Sequence, residues 1–336
     1  VLSFERREPG DTSWLPYAQF IRTFLLPLAA HKQFGMGLDQ LFLTRRDGVE
    51  PEDVYRWLGP LRKWLPPFLA LVSLPTLLGR RHNPDDEAIY RRKAAVDPEK
   101  AAFILSSLLK GLRRTLAKLQ PAGGKRSTWS GYLTSNNNYS NEHFEAKKKF
   151  VEWTLDEFRP RRVLDVGCNT GFFSSIAARA GAQVVAIDYD PVVVGETWRN
   201  AHEQHLDILP LVVNLARPTP GAGWRNCDCA SFLDRARGSF DAVLMLAVIH
   251  HMLVTERVPL AEIADLAAQL TSDLLVVEFI APGDSMFARL TRGREELHQG
   301  LDTAAFEACF RSRFEIVRVQ HVSGTFRWLY ALRKRR

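Results

Sequence analysis

Two kinds of periodicity divide the chain. Up to about residue 120, apolar side chains recur at helical spacing: Phe20, Phe24, Leu25 and Leu28, and later Phe103, Leu105, Leu108, Leu109, Leu112, Leu116 and Leu119. The second series follows Asp97-Pro98, an N-cap residue and a first-turn proline whose missing N–H costs nothing there. Between them, Gly59-Pro60, Pro66-Pro67 and Pro75 interrupt an apolar stretch, which predicts short helices over a small core rather than one long rod. Gln120-Pro121-Ala122-Gly123-Gly124 then combines a helix stop with two glycines. This places a boundary between an α-helical N-terminal domain, 1–122, expected to serve as a substrate or lid domain, and a second domain, 123–336.

The second domain opens with a polar loop, 135–140, and a helix over 141–158. From Arg161 onward, short apolar runs alternate with helical stretches, giving strand candidates at 162–166, 183–187, 208–213, 240–247, 273–279, 314–319 and 326–332. Seven strands with helices between the early ones predict a Rossmann-like, doubly wound α/β sheet. Only a short loop around Ser323-Gly324 joins the last two runs, too short for a parallel crossover, so they must pair as an antiparallel hairpin at one edge.

Composition narrows the class. With 46% hydrophobic and 25% charged residues in 336, the chain is globular and long enough for two cores, which excludes a disordered chain and a disulfide scaffold. Four scattered cysteines suit a reducing compartment, and cytoplasm is the expected location. The nearest approach to a membrane span, Leu65 to Leu78, contains three prolines, and the start, with Glu5, Arg6, Arg7 and Glu8, does not read as a signal peptide. The net charge of +7 is uneven: residues 1–126 hold 21 Lys and Arg against 13 Asp and Glu, or +8, and the remainder 24 against 25, or −1. Such a basic front half could attract an anionic substrate, a nucleic acid or an acidic carrier, or could simply be solvated helix faces.

The sharpest chemical signal is Val163-Leu164-Asp165-Val166-Gly167-Cys168-Asn169-Thr170-Gly171-Phe172-Phe173-Ser174, an apolar strand ending in a glycine-bracketed turn that opens a helix. In a doubly wound sheet, this crossover lies over the carboxyl edge where ligands bind. Its G-x-x-x-G spacing lacks the G-x-G-x-x-G arrangement of a dinucleotide site. The next strand ends in Ala186-Ile187-Asp188, an acidic side chain placed to accept both hydroxyl protons of a ribose. A nucleoside-sized cofactor follows.

With these elements, residues from about 145 to 332 resemble a class I S-adenosylmethionine-dependent methyltransferase, through VLDVGCNTGFFS, AIDYD, PLVVNLA, FDAVLMLAVIHHM, LLVVEFI and the terminal hairpin. The resemblance implies S-adenosyl-L-methionine as cofactor. It places Asp165, Gly167, Asn169 and Gly171 around the methionine part, Asp188 at the ribose, and Asn214 and Leu215 near the adenine. The family more often has Asp where this chain has Asn214, which keeps an acceptor but loses the charge. Trp129–Tyr132 (W-x-x-Y) and Gly223-Trp224-Arg225-Asn226 extend the likeness to bacterial methyltransferases of the nodulation-protein type. That closer resemblance implies that Tyr139 and Lys147 close over the cofactor, with Lys147 meeting its carboxylate. An exposed helix face is the alternative for Lys147. Cys168 is expected as a small side chain in the tight turn, while Phe172, Tyr189 and Trp224 are candidates for aromatic walls or for ordinary packing.

Methyl transfer from a sulfonium is an in-line displacement, so the protein's task is chiefly alignment. A hydroxyl nucleophile must lose its proton, and His250-His251, after the fourth strand, are the candidate bases. Glu278, in the fifth strand run, is a further catalytic candidate, although a charge in so apolar a run equally suits a structural salt bridge. Cys227-x-Cys229 lacks further ligands at finger-like spacing, so no metal is expected. The reading that results is a methyltransferase acting on an oxygen or nitrogen of a small or glycosylated metabolite. An RNA-modifying enzyme using the basic domain, and a non-catalytic cofactor-binding interaction module, are the alternatives.

Overall fold

The computed structural model describes residues 9–14, 16–79, 96–120 and 141–335. Tyr139, Trp129–Tyr132, the polar loop 135–140 and most of the linker lie outside them. The chain divides into two compact units, Val1–Gly124 and Lys125–Arg336.

The first unit is helical: α1 (Tyr17–Phe20), α2 (Leu26–Phe34), α3 (Leu38–Thr44), α4 (Pro51–Trp57), α5 (Leu74–Gly79) and α6 (Pro98–Leu119). A turn of π-helix, Ile21–Leu25, joins α1 to α2, and another, Leu69–Ser73, leads into α5. Each ends two residues before a proline, Pro27 or Pro75, whose absent N–H cannot close the regular ladder. The uniform helical spacing expected over Phe20 to Leu28 is interrupted for that reason. Helix α6 is capped as its sequence implies, with the Asp97 carboxylate accepting from the N–H groups of Glu99 (3.0 Å) and Lys100 (3.3 Å). Leu25, Leu26, Ala29, Ala30, Val54 and Val72 are fully buried and form this unit's core.

In the second unit, α7 (Asn141–Phe158) precedes a seven-stranded sheet of order β3-β2-β1-β4-β5-β7-β6. The strands are β1 (Arg162–Val166), β2 (Gln183–Asp188), β3 (Ile208–Val212), β4 (Phe240–Met245), β5 (Thr271–Ile280), β6 (Phe314–His321) and β7 (Arg327–Lys334). The first five are parallel, and β7 runs antiparallel to both β5 and β6, as the short final loop requires. Helices α8 (Phe172–Arg179), α9 (Pro191–Glu203), α10 (Phe232–Ala236), α11 (Ile249–Val254), α12 (Leu260–Leu270), α13 (Ser285–Thr291) and α14 (Thr303–Arg311) supply the connections.

Strand alternation sends side chains to two cores. Leu164, Val166, Val243, Met245, Leu275 and Val277 pack with residues of α10, α11, α12 and α14. Val163, Leu244, Leu274, Val276 and Leu329 pack beneath Phe150, Val151 and Leu155 of α7. The chain winds outward from β1 to β3 and returns to β4 on the other side of β1, so the switch point lies between the carboxyl ends of β1 and β4. There β4 ends at Met245, two residues short of the expected Ala247, which adopts φ +57° as the chain turns out of the sheet.

Candidate functional site

The loop after β1 is pinned before any ligand arrives. The N–H groups of Gly167 and Cys168 both donate to the carbonyl of Ile187 on β2, at 2.8 and 3.0 Å. Gly167 has φ +69°, and a Cβ there would lie 2.5 Å from Val248 Cγ2. Gly171 has φ +79°, and a Cβ would lie 2.5 Å from Thr197 Cγ2. Both the left-handed backbone and the close neighbours therefore demand glycine. Between them, Asn169 takes φ +50° and accepts the Thr170 N–H on its own side-chain oxygen at 2.7 Å, the local bond that lets Asn adopt this region.

Asp188 ends β2 and is nearly buried. One carboxylate oxygen accepts from the Asn169 N–H and the other from the Asp190 N–H, each at 3.0 Å. Burial raises its pKa, while these backbone bonds oppose the rise. Asp165, one residue before the end of β1, is more deeply buried and accepts the Ser174 hydroxyl at 2.5 Å. Desolvation pushes its carboxyl from 3.8 up to about 6.

At the switch point lies a cavity of about 310 Å³. Of the sequence-derived candidates, Gly167, Asn169, Asp188, Tyr189, Asn214 and Leu215 line it, joined by His251. Others stand outside the lining. Cys168 is buried in the core under α7, and burial pushes its thiol far above the ordinary range. Phe172 packs against Phe144 and Phe173, with ring centroids 4.9 and 5.2 Å away. Val248, Met252, Thr255 and Glu256 line the cavity although sequence reading missed them. Their spacing along and just beyond α11 was a usable signal, since it repeats about once per helical turn.

A second charged layer lies on the α7 side of the sheet. Glu278 is one residue beyond the last rung linking β4 to β5, two places along from Val276, and so projects beneath α7. Its carboxylate accepts from Lys147 Nζ of α7 at 2.6 Å and from Arg327 of β7 at 3.2 Å. Arg327 also donates to Asp284 at 2.8 Å, and Asp284 caps α13 through the Met286 N–H. All four side chains are buried. Lys147 is thus neither on an exposed helix face nor among the cavity-lining residues. His250 is buried nearby, its Nδ1 making no hydrogen bond among the described residues, and its ring centroid is 4.1 Å from that of His251. Burial, with the neighbouring imidazole and cations, lowers its pKa well below the usual value, and burial lowers that of His251. Both rings are held neutral near neutral pH.

The site suits a nucleoside-bearing sulfonium cofactor on its own chemistry. It offers a fixed carboxylate at the end of β2 and apolar walls from Val213, Leu215 and Met252, in a volume typical of small-molecule sites, while the predicted Asp165 and Gly171 are not among the lining residues.

Residues 164–268 match the family model described as "Methyltransferase domain". Over 323 residues, the chain is 28% identical to nodulation protein NoeA of Rhizobium meliloti (strain 1021), a match covering 96% of this chain and 66% of that protein. Glycine/sarcosine N-methyltransferase of Parasynechococcus marenigrum is 31% identical over 162 residues, 48% of this chain and 50% of that one. The chain thus spans about two thirds of the nodulation relative's length and half of the N-methyltransferase's. Among solved structures, N-methyltransferase NodS from Bradyrhizobium japonicum WM9 is 12% identical with a TM-score of 0.43, covering 59% of this chain and 99% of that one, too remote a likeness to carry an argument. The doubly wound sheet and its glycine-bracketed loop suit the match of residues 164–268 to a methyltransferase domain. Over most of its length, the chain resembles the nodulation protein.

Proposed function

We propose that this protein transfers a methyl group from S-adenosyl-L-methionine to an oxygen or nitrogen of a small or glycosylated metabolite. The observation that carries the reading is the cavity at the β1/β4 switch point, entered by the Asp188 carboxylate and floored by the Gly167 loop. Asp188 accepts the ribose hydroxyls, its carboxylate already oriented by two backbone N–H groups. Asn214, Leu215 and Met252 enclose the adenine, and the loop from Gly167 to Gly171, with Asp165 beneath it, holds the charged methionine end. When bound, the cofactor supplies the electrophilic methyl group. The chain's own task is then to exclude water, to align the acceptor and to receive its proton. His251 is the better placed of the two imidazoles for the last role, because it lines the cavity and is neutral near neutral pH. The compartment is the cytoplasm.

The test is a transfer assay with methyl-labelled cofactor against a panel of amino sugars, phenols and short oligosaccharides, comparing wild type with His251→Ala across pH. Label in an acceptor, with the alkaline plateau reached in wild type lost in the variant, supports the reading. Absence of transfer to every acceptor despite cofactor binding favours a non-catalytic module.

A further inference from the structure

The helical unit exposes several large apolar side chains, and one part of that surface has a distinctive charge. From Val54 to Gly79 the sequence contains no Asp or Glu; Arg56 is paired with Asp53, and Arg62 and Lys63 are the other two cations of the stretch. Within this stretch a turn between α4 and the second π-helical segment displays Leu61 (83% exposed), Trp64 (57%) and Leu65 (54%). The buried Ser73 hydroxyl donates to the Lys63 carbonyl at 2.6 Å, which holds the turn against the start of α5. Leu74 and Leu78, one helical turn apart on α5, are exposed as well. Lys63 Nζ sits 4.0 Å above the Tyr55 ring and Arg62 donates to Gln33, so both cations are held at the patch. At the end of α5, the Glu52 carboxylate lies 4.0 Å from a Cβ placed on Gly79.

Large apolar side chains standing in solvent are costly unless something covers them, and a contiguous group marks an interaction surface. Tryptophan and leucine beside cations, with no carboxylate in the same stretch, fit the boundary of an anionic bilayer, where the indole sits at headgroup level and the cations meet lipid phosphates. We infer that the 61–65 turn and α5 form a peripheral docking surface for an anionic lipid bilayer. No helix among the described residues is long and apolar enough to cross a membrane, so the attachment is interfacial and reversible. The excess of +8 over residues 1–126 adds long-range attraction to the same surface charge. This inference is independent of the methyl-transfer reading, since lipid binding is read without cofactor or acceptor.

The experiment is flotation of the full chain with vesicles of phosphatidylcholine alone and of phosphatidylcholine and phosphatidylglycerol in equal parts. Wild type should float with the anionic vesicles only, and raised salt should weaken binding. Leu61→Ser with Trp64→Ser, and separately Arg62→Glu with Lys63→Glu, should each reduce the partition coefficient on the order of tenfold or more. Leu61, Arg62 and Trp64 are exposed and Lys63 is half-buried, so unchanged circular dichroism and cofactor affinity verify folding. Three results would each overturn the inference: no wild-type binding to anionic vesicles, equal binding to neutral ones, or undiminished binding by both variants. A self-association lost in the Leu61/Trp64 variant, without lipid binding, would make the patch an interface between copies instead.

Discussion

Asp165→Asn should stabilise the protein while weakening cofactor binding. The Asp165 carboxyl, 2% exposed, has its pKa pushed from 3.8 to about 6 by burial, even though it accepts the Ser174 hydroxyl. Below its unfolded pKa the group is protonated in both states and contributes no difference. As pH rises from there to about 6, the unfolded chain releases the proton and the folded chain retains it, so stability falls. Above about 6 the full difference applies, roughly two pH units at 1.36 kcal/mol each, or about 3 kcal/mol. Asparagine has nearly the same shape, keeps an oxygen for Ser174 and carries no charge. Urea unfolding without cofactor should therefore show Asp165→Asn more stable by about 3 kcal/mol near pH 8 and by only about 1 kcal/mol near pH 4.5, with equal m-values. The same variant should bind S-adenosylmethionine more weakly, because it lacks the charge proposed to face the methionine end. A variant equal to or less stable than wild type near pH 8 would refute the assignment of that cost to a buried charge.

Removing Glu278 takes away the carboxylate shared by two buried cations, so Glu278→Ala should lose about 3–5 kcal/mol in thermal or urea unfolding, at the lower end because Arg327 retains Asp284. Adding Lys147→Met should recover part of it, and an unchanged melting temperature in the single variant contradicts the network. Gly167→Ala forces a left-handed backbone on a residue with a Cβ and drives it into Val248, which should cost about 1–3 kcal/mol. Val248→Ala in that background should relieve some of the loss, and additive destabilisation would show that the clash is not the cause. His250 has a lowered pKa in the fold, so its contribution to stability is complete above the ordinary value of 6.5 and declines as pH falls below it. His250→Gln should flatten that acid-side decline, and a parallel pH profile for both proteins would locate the titrating group elsewhere.

The sheet was legible because its strands are short, apolar and bounded by helical patterns. Arg162–Val166 emerges from the sequence with its observed bounds, and the terminal hairpin followed from loop length alone. Glycine spacing and the strand-end acid marked Gly167, Asn169 and Asp188, all of which line the cavity. What could not be read was long-range pairing. Lys147 and Glu278 are 131 residues apart, and only the sheet order brings α7 over β5 so that they meet. The burial of Cys168 in the core under α7, set by the left-handed turn at Gly167 after β1 ends, was obscured by a motif in which adjacent residues all looked equally cofactor-facing. The π-helical turns before Pro27 and Pro75 were hidden because apolar spacing reports a face and not the hydrogen-bond register.

The central claim is that the β1 loop and Asp188 form a site for S-adenosylmethionine. Calorimetric titration of the purified protein with S-adenosylmethionine, and separately with its demethylated product, tests it most directly when Asp188→Ala is titrated alongside. Micromolar binding of both ligands to wild type, weakened on the order of tenfold or more in the variant, is the predicted result. Binding of neither ligand, or equal affinity in the two proteins, would contradict it.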